Sequence, residues 1–502
     1  MSWKIAPILL WLSFLIASCA KNSQLQYALM QAEDNRKELE KVLEHYCDSG
    51  LKYKAALFLV ENLPWHFAIV DSLVAPSGKR YYPDIAQIGG ADEVKRYYDS
   101  LYAIGYYRES RREWDGKRLK ASYLIQQIDL AFTVWSKPWA KSVSFEDFCS
   151  YILPYRSLYE PPSMLRQTLM EQYVPRLVAA DVQTPIEACN LLNSLLKEEI
   201  KYAETGSPLA ATIEETARTG RGTCDALCNY TVLAMRAAGI PVAVHQTIWT
   251  RMNRGHVWPA VLSNGRFFDF SPGDVNTDEY MKRLYKRWYL QPAKVYRQHY
   301  ECLIKQQKNV DDGYVTWLKS PLIKDVTDEG GKGTFLLKVP LVENARLEQG
   351  QILYLCTFNN FHWTPLAIGE ADGKGNACFP KVRGRNFLIV AEANKQKSLK
   401  WISMPFCTDG SGGIRLLPAI KELPVRHTFH RTGSSKPDLL DYWDGQLGQF
   451  VAIEPVEVTD STQTYANIPA QALLFFRSDS ISLTSRVGII DTDGVYKDSG
   501  TW

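Results

Sequence analysis

Cys224 has the surroundings in this chain that best suit nucleophilic chemistry. It ends the string Thr219-Gly-Arg-Gly-Thr-Cys224, and the run from Asp225 to Ala238 that follows is helical in pattern and stops at Gly239-Ile-Pro241. The pattern therefore predicts that Cys224 lies in the first turn of a helix. There, main-chain N–H groups and the positive end of the helix dipole favour a thiolate, so the pKa of the thiol should fall. Gly222, just upstream, has no side chain to obstruct a substrate backbone.

A histidine and an aspartate downstream could complete the chemistry. Val242 to Trp249 is a strand candidate, and Val257–Leu262 and Phe267–Ser271 form two more, joined by the hairpin signal Ser263-Asn-Gly265. His256, at the start of the second strand, could take the thiol proton and later return it to a leaving amine. Asp269, on the hairpin partner strand, is placed to orient the imidazole.

Three motifs in this order resemble the core of the transglutaminase-like superfamily of papain-type folds. They are Thr219-Gly-Arg-Gly-Thr-Cys224, Ala234-Met-Arg-Ala-Ala-Gly-Ile-Pro241 and Gly255-His-Val-Trp258. The resemblance covers about residues 185–275, and it implies a Cys, His, Asp triad carried by a helix and two adjacent strands. By this correspondence Cys224 is the nucleophile and His256 the base.

The third member of the triad departs from the family pattern. Many relatives have an Asp immediately before a Pro, and here that position is Ser271-Pro272, with Asp269 two residues earlier. Alternation along a strand puts residues 269 and 271 on one face, so Asp269 could reach His256 after a small shift. Asp274 is less suited, because it lies in a turn beyond the strand. A displaced carboxylate leaves open an inactive protein, although both thiol and imidazole are present.

The remaining cysteines indicate neither a metal site nor a disulfide scaffold. Nine cysteines are left when Cys19 is set aside, none of them in a CxxC pair. Cys228, four residues after Cys224, is expected to pack in the core. The stretch Asp274–Asp278 imitates a calcium loop but has Glu279 where glycine is needed, so we interpret it as a solvated turn. No cofactor is expected.

The first 19 residues have the pattern of a targeting segment. A largely apolar run from Ile5 to Ile16 is too short to span a bilayer, and it leads to Ala17-Ser18-Cys19. The string Ile16-Ala-Ser-Cys19 resembles the lipobox of bacterial lipoproteins, which implies lipidation of Cys19. The resemblance predicts a cell-envelope protein, lipid-anchored to the outer membrane on its periplasmic side or at the cell surface. An ordinary secretory signal is the alternative.

The rest of the chain predicts a mixed α+β organisation. Helical periodicity runs through residues 24–184, where Asn35 to Glu38, Ser144 to Asp147 and Thr184 to Glu187 are candidate helix starts. We place the transglutaminase-like core at 185–310. Short β-rich runs then predict a β-sandwich-like module at 330–425 and a small β module at 438–502, separated by the linker candidate Arg431–Pro437.

Composition limits the possible functions. With 46% hydrophobic residues, 23% charged residues and a net charge of +3, the bulk of the chain should fold in water and has no special affinity for nucleic acid. We expect an extracytoplasmic cysteine enzyme that attacks peptide, protein or glycopeptide amides through a thioester, resolved by water or by an amine. The alternative is a catalytically inactive, lipid-anchored scaffold that binds peptides or glycans. The sequence leaves the oligomeric state open.

Overall fold

The structure, a computed structural model, divides into two compact units. It describes residues 23–250, 252–286, 292–304, 313–314, 316–329, 333–342, 347–431, 439–477 and 487–498. The first unit comprises Met1–His245, Val257–Met281 and Gln298–Ile304, and the second comprises Gln246–His256, Lys282–Arg297 and Lys305–Trp502. The four domain boundaries given by the sequence pattern stay a prediction. The signal segment with Cys19 lies outside the described residues.

The α-helices all lie before residue 287 in the described part of the chain. They are α1 (23–31), α2 (Arg36–His45), α3 (Leu51–Asn62), α4 (Ala91–Ala103), α5 (Ala121–Trp135), α6 (Phe145–Tyr151), α7 (Arg166–Ala179), α8 (Pro185–Leu196), α9 (Ile213–Thr219), α10 (Cys224–Ala237) and α11 (Thr277–Lys286). None of these helices has the length and apolar character needed to cross a membrane.

All three expected helix starts are confirmed, two of them with the expected side-chain cap. Ser144 accepts from the main chain of Asp147, and Thr184 and Glu187 form a complete capping box at the start of α8. The box expected at Asn35 is wrong, although α2 does begin there. The buried Asn35 amide instead donates to the carbonyls of Gly116 and Leu119, 3.1 and 2.9 Å away, because those carbonyls offer partners away from water.

A small antiparallel sheet interrupts the region that periodicity predicts as helical. Its strands are β1 (Phe67–Val74), β2 (Arg80–Tyr81) and β3 (Tyr107–Trp114), in the order β2-β1-β3. β3 is charged along most of its length, and Arg108 pairs with the buried Asp71 of β1 at 2.7 Å. The sheet was missed because β3 carries no apolar alternation for a sequence pattern to detect.

Five further strands frame the region around Cys224. β4 (Lys201–Tyr202) pairs in parallel with β5 (Arg221–Gly222), and β6 (Val242–Ile248), β7 (Gly255–Ser263) and β8 (Arg266–Asp269) lie side by side in that order. The predicted Asn-Gly hairpin is confirmed: β7 and β8 are antiparallel, and Asn264 and Gly265 have φ of 49° and 72°.

The second unit is β-rich, and the α+β class with a β-rich C-terminal part is confirmed. Its strands are β9 (Tyr296–Gln298), β10 (Ile323–Asp325), β11 (Phe335–Pro340), β12 (Ile352–Asn359), β13 (His362–Ala371), β14 (Asn376–Val382), β15 (Phe387–Ala393), β16 (Leu399–Trp401), β17 (Phe406–Thr408), β18 (Ile414–Leu416), β19 (Ile420–His430), β20 (Leu439–Asp444), β21 (Gln449–Ile453), β22 (Glu457–Val458), β23 (Thr462–Ala470), β24 (Ala472–Arg477), β25 (Val487–Ile490) and β26 (Tyr496–Asp498).

These strands build three sheets beyond residue 330. The largest has the order β11-β14-β13-β12-β15-β17-β18, with β16 paired to β15, and the two others have the orders β19-β23-β22 and β21-β20-β24-β25-β26. The Gly-rich stretch from Asp409 to Gly413 is a hairpin turn between β17 and β18, as its composition predicts. Most of the linker candidate at 431–437 lies outside the described residues.

A buried ionic network supports α10 within the first unit. The carboxylate of Asp115 accepts two hydrogen bonds from Arg156, at 2.7 and 2.8 Å, and one from Tyr155 at 2.6 Å. Arg236, near the end of α10, donates to the main-chain carbonyl of Arg156 at 2.6 Å and to that of Val242. The network therefore holds the helix that begins at Cys224 from its far end.

We expect Asp115→Ala to destabilise the protein by about 3–5 kcal/mol, since it leaves the guanidinium of Arg156 buried without a carboxylate. Chemical denaturation of the variant and the wild type measures this difference. Asp99→Ala, which breaks an exposed pair with Lys95, is the matched control and should leave the free energy of unfolding nearly unchanged. Equal stability of the two variants would contradict the prediction.

Candidate active site

The backbone before Cys224 is held in place by close packing. Gly220 ends α9 in the left-handed conformation at φ 62°, and a β carbon there would lie 2.7 Å from the carbonyl oxygen of Glu199. A β carbon at Gly222 would lie 2.8 Å from that of Ala226. Because no larger residue fits without movement at either position, the two glycines set where α10 begins.

The predicted position of Cys224 is confirmed, since it is the first residue of α10. Thr223, at the N-cap, does not cap the helix with its side chain, and its hydroxyl instead donates to the carboxylate of Asp225. The first main-chain N–H groups of α10 therefore lie beside the thiol. Cys228, one turn on, is fully buried in the core, as expected.

The expected lowering of the Cys224 pKa is wrong. Burial raises the pKa of this thiol, and the negative charge of Asp225 raises it further. Hydrogen bonds from the main-chain amides of Val257, Asp225 and Cys224 itself lower the pKa, but they do not outweigh burial. The cysteine is therefore a protonated thiol at neutral pH and needs a base before it can attack a carbonyl.

His256 is uncharged at neutral pH. Burial lowers the pKa of this histidine to about 4, and its ring stacks on Trp249 with a centroid distance of 5.5 Å and an interplanar angle of 20°. It directly precedes Val257 along β7, and Val257 is the residue whose main chain contacts the Cys224 thiol. A neutral imidazole can accept a proton, as a general base must. The pairing of His256 with Cys224 stays a prediction.

Asp269 has a histidine partner that the sequence analysis did not single out. Its Oδ1 lies 2.6 Å from Nδ1 of His245, a residue of β6; the histidine is buried and the aspartate is partly buried. Asp269 is opposite Ala260 on β7, whose small side chain leaves room between β6 and β8. A buried polar residue within the apolar run 242–248 was the signal available, because such residues require partners. The predicted role of Asp269 toward His256 is not tested by this contact.

Tyr280 of α11 lies close enough to feel the charges of both the Cys224 thiol and the Asp269 carboxylate. This tyrosine is buried, and its pKa is raised by burial and then by the charges of Asp269, Cys228 and Cys224. Asp274 adds a smaller effect of the same sign and lies in the turn after β8, as predicted. In the part of the chain that the structure describes, no group of three His, Cys, Asp or Glu residues could hold a metal ion.

Comparison with known proteins gives a match between one part of the chain and a family model. Residues 172–272 match the model of the transglutaminase-like superfamily, which confirms the resemblance seen in the motifs. The match covers the stretch from α7 through β8 and includes Cys224, His256 and Asp269. No curated protein matches the chain significantly.

Two solved structures show weak similarity. One is a candidate cysteine protease from Cytophaga hutchinsonii, with 11% identity, a TM-score of 0.19, and coverage of 22% of this chain and 37% of that one. The other is red sea bream transglutaminase, with 10% identity, a TM-score of 0.20, and coverage of 86% and 78%. The chain thus spans little more than a third of the first protein. At these TM-scores neither likeness supports an argument about this chain.

We expect the free energy of unfolding to fall as the pH drops from 6.5 to 4, because the unfolded chain binds a proton that folded His256 does not. The pKa of His256 is lowered to about 4 from 6.5, so the loss is about 1.4 kcal/mol per pH unit well inside that window and ends below it. Above pH 6.5 the imidazole is neutral in both states and contributes nothing.

Denaturation across this pH range, with wild type and His256→Gln, measures the effect. His66, whose pKa burial also lowers to about 4, contributes in the same direction, so the variant should lose part of the slope and not all of it. His45→Gln removes an exposed imidazole and is the matched control. Identical slopes of the free energy of unfolding against pH for wild type and His256→Gln would contradict the lowered pKa of His256.

Proposed function

We propose that this chain, whose residues 172–272 form a transglutaminase-like core, is a cysteine-dependent acyl-transfer enzyme that acts on amides through a thioester. The observation that carries the proposal is the thiol of Cys224 at the first turn of α10, with its main-chain partner Val257 directly after the neutral His256. A protonated thiol and a neutral base suit a general-base mechanism, in which the thiol loses its proton as it attacks.

The proposed steps balance protons and bonds. His256 takes the proton from the Cys224 thiol while Sγ bonds to the amide carbonyl carbon, and the negative carbonyl oxygen is stabilised by N–H groups at the start of α10. The C–N bond then breaks, and the amine leaves with the proton from His256, giving a thioester. Water resolves the thioester to an acid, as a protease or amidase would, or an amine resolves it to a new amide.

The substrate class is a peptide, protein or glycopeptide amide. A thioester intermediate requires an acyl group with a nitrogen leaving group, and family analogy favours hydrolysis over transamidation. An activity-based thiol probe, applied to wild type and to Cys224→Ala and followed by a screen of peptide and glycopeptide amides, addresses the substrate.

We expect iodoacetamide to alkylate Cys224 of the wild type faster than the buried thiols, and His256→Ala to slow that alkylation at least tenfold at pH 7. The reason is that the neutral imidazole accepts the thiol proton as the sulfur attacks the reagent, whereas the variant has a protonated thiol with a raised pKa and no such base. Peptide mass spectrometry reports each thiol separately, and the exposed Cys47 is an internal reference.

Two further variants separate the possible roles of Asp269. If the carboxylate orients His256, Asp269→Ala slows alkylation of Cys224 and His245→Ala does not. If it acts only on its observed partner, the two substitutions have the same effect. Equal alkylation of Cys224 in wild type and His256→Ala would overturn the enzymatic proposal.

The raised pKa of Cys224 and the bond between Asp269 and His245 favour a second candidate, a catalytically inactive scaffold that binds peptides or glycans. On that proposal the transglutaminase-like core is retained for its shape. Ligand binding by Cys224→Ala, together with no turnover by wild type on the same ligand, would support the scaffold. Turnover by wild type would exclude it.

We also propose that the chain is lipid-anchored through Cys19 in a bacterial cell envelope, on the strength of its lipobox-like string. In a bacterial host, wild type should partition into the detergent phase of a Triton X-114 extract, since acyl chains are attached. Cys19→Ala should partition into the aqueous phase or accumulate with its signal uncleaved. Partitioning of the wild-type protein into the aqueous phase would contradict lipidation.

A further inference from the structure

Asn359, the last residue of β12, binds the main chain just before His256 from several directions. Its Oδ1 accepts from the N–H of Arg254 at 2.8 Å. Its Nδ2 lies 2.8, 2.9 and 3.0 Å from the carbonyl oxygens of Trp249, Met252 and Arg254. One buried side-chain amide thus contacts four main-chain groups between β6 and β7, with its two N–H groups shared among three carbonyl oxygens, and all of these residues belong to the second unit.

The backbone that Asn359 binds is strained. Arg254 has φ of 78°, in the left-handed region that residues with a β carbon rarely adopt. Such a conformation persists only where surrounding contacts enforce it, and Asn359 bonds both the N–H and the C=O of this residue. His256 follows two residues later, so the direction in which β7 starts depends on this contact.

Two neighbouring contacts also hold residues 249–254 against the sheet that contains β12. The main-chain N–H of Asn360 donates to Oδ1 of the buried Asn253 at 2.9 Å, and Thr250 donates to the buried Asn386. Asn360 and Phe361 form the tight turn between β12 and β13, with φ of 52° and 68°. A hairpin within a large sheet is a rigid support, because cross-strand hydrogen bonds hold it on both sides.

We propose that Asn359 is a positioning residue for the base, so that the β-rich module is part of the catalytic machinery through its hold on the His256 loop. The inference rests on the proposed function, and it assigns a role to the β-rich module. Asn359 acts through His256: by fixing Trp249 and Arg254 it fixes both the ring on which the imidazole stacks and the strand that carries it.

The test is a double-mutant cycle on the full chain, with iodoacetamide alkylation of Cys224 at pH 7 as the readout. We expect Asn359→Ala to slow alkylation about tenfold in the wild-type background and less than twofold in the His256→Ala background, because a positioning residue has nothing left to position once the base is gone. Asn394→Ala is the matched control. It removes an asparagine that holds the β15–β16 turn of the same sheet, and it should leave the rate unchanged.

A second readout follows His256 directly. NMR titration of the histidine ring protons should show the pKa of His256 rising from about 4 toward 6.5 in Asn359→Ala, since a released loop exposes the ring. Asn253→Ala, which removes the bond to Asn360 and leaves Asn359 in place, should shift both readouts in the same direction by less, and it serves if Asn359→Ala fails to fold.

The outcomes separate the two proposals. Equal slowing by Asn359→Ala in both backgrounds, or an unchanged His256 titration, overturns the positioning role and leaves the proposed function standing. Alkylation that does not depend on His256 in the otherwise wild-type protein overturns the proposed function, and the positioning of a base falls with it. In that case a shifted titration still shows that Asn359 holds the loop.

Discussion

Burial determines the protonation state of the two side chains on which the chemistry would depend. It raises the pKa of the Cys224 thiol and lowers that of the His256 imidazole to about 4, so each group is uncharged at neutral pH. The helix dipole and the amides at the start of α10 act in the opposite direction on the thiol, and burial prevails. Cys224 and His256 therefore do not form a thiolate–imidazolium pair at neutral pH. In the proposed mechanism the thiol proton moves to His256 during attack, so the placement of the imidazole has to be accurate.

Contacts outside the sequence motifs fix the positions of Cys224 and His256. On the side of Cys224, the proposed nucleophile, Gly220 and Gly222 allow the backbone to pass close to Glu199 and Ala226, while Arg236 holds the far end of α10. On the side of His256, the proposed base, the strained Arg254 and the stacked Trp249 are held by the amide of Asn359. Local sequence around Cys224 and His256 is thus only part of what the site requires.

The sequence predicted the elements that local chemistry determines. The start of α10 at Cys224, its end just before Gly239, the Asn-Gly hairpin and the capping box at Thr184 all follow from residue types a few positions apart. The sequence did not predict features that depend on contacts between distant residues. One is the charged strand β3, which pairs with β1 through Arg108. Another is the Asn35 amide, which donates to carbonyls more than eighty residues away and does not cap its helix. The thiol pKa was predicted with the wrong sign because burial cannot be read from the motif. Asn359 was out of reach for the same reason, since its partners lie more than a hundred residues away.

Asp269 lies two residues before the position of the family aspartate, and from there its carboxylate contacts His245. The strand predicted to reach Ser271 ends at Asp269, so alternation does not relate residues 269 and 271, and the cross-strand neighbour of Asp269 is Ala260. A methyl group there leaves space through which the carboxylate reaches His245 on β6, at 2.6 Å. A carboxylate already bonded to one buried imidazole has fewer lone pairs and a less negative potential to offer a second. The stack on Trp249 and the loop fixed by Asn359 therefore provide orientation for His256 that does not depend on an acid at the family position.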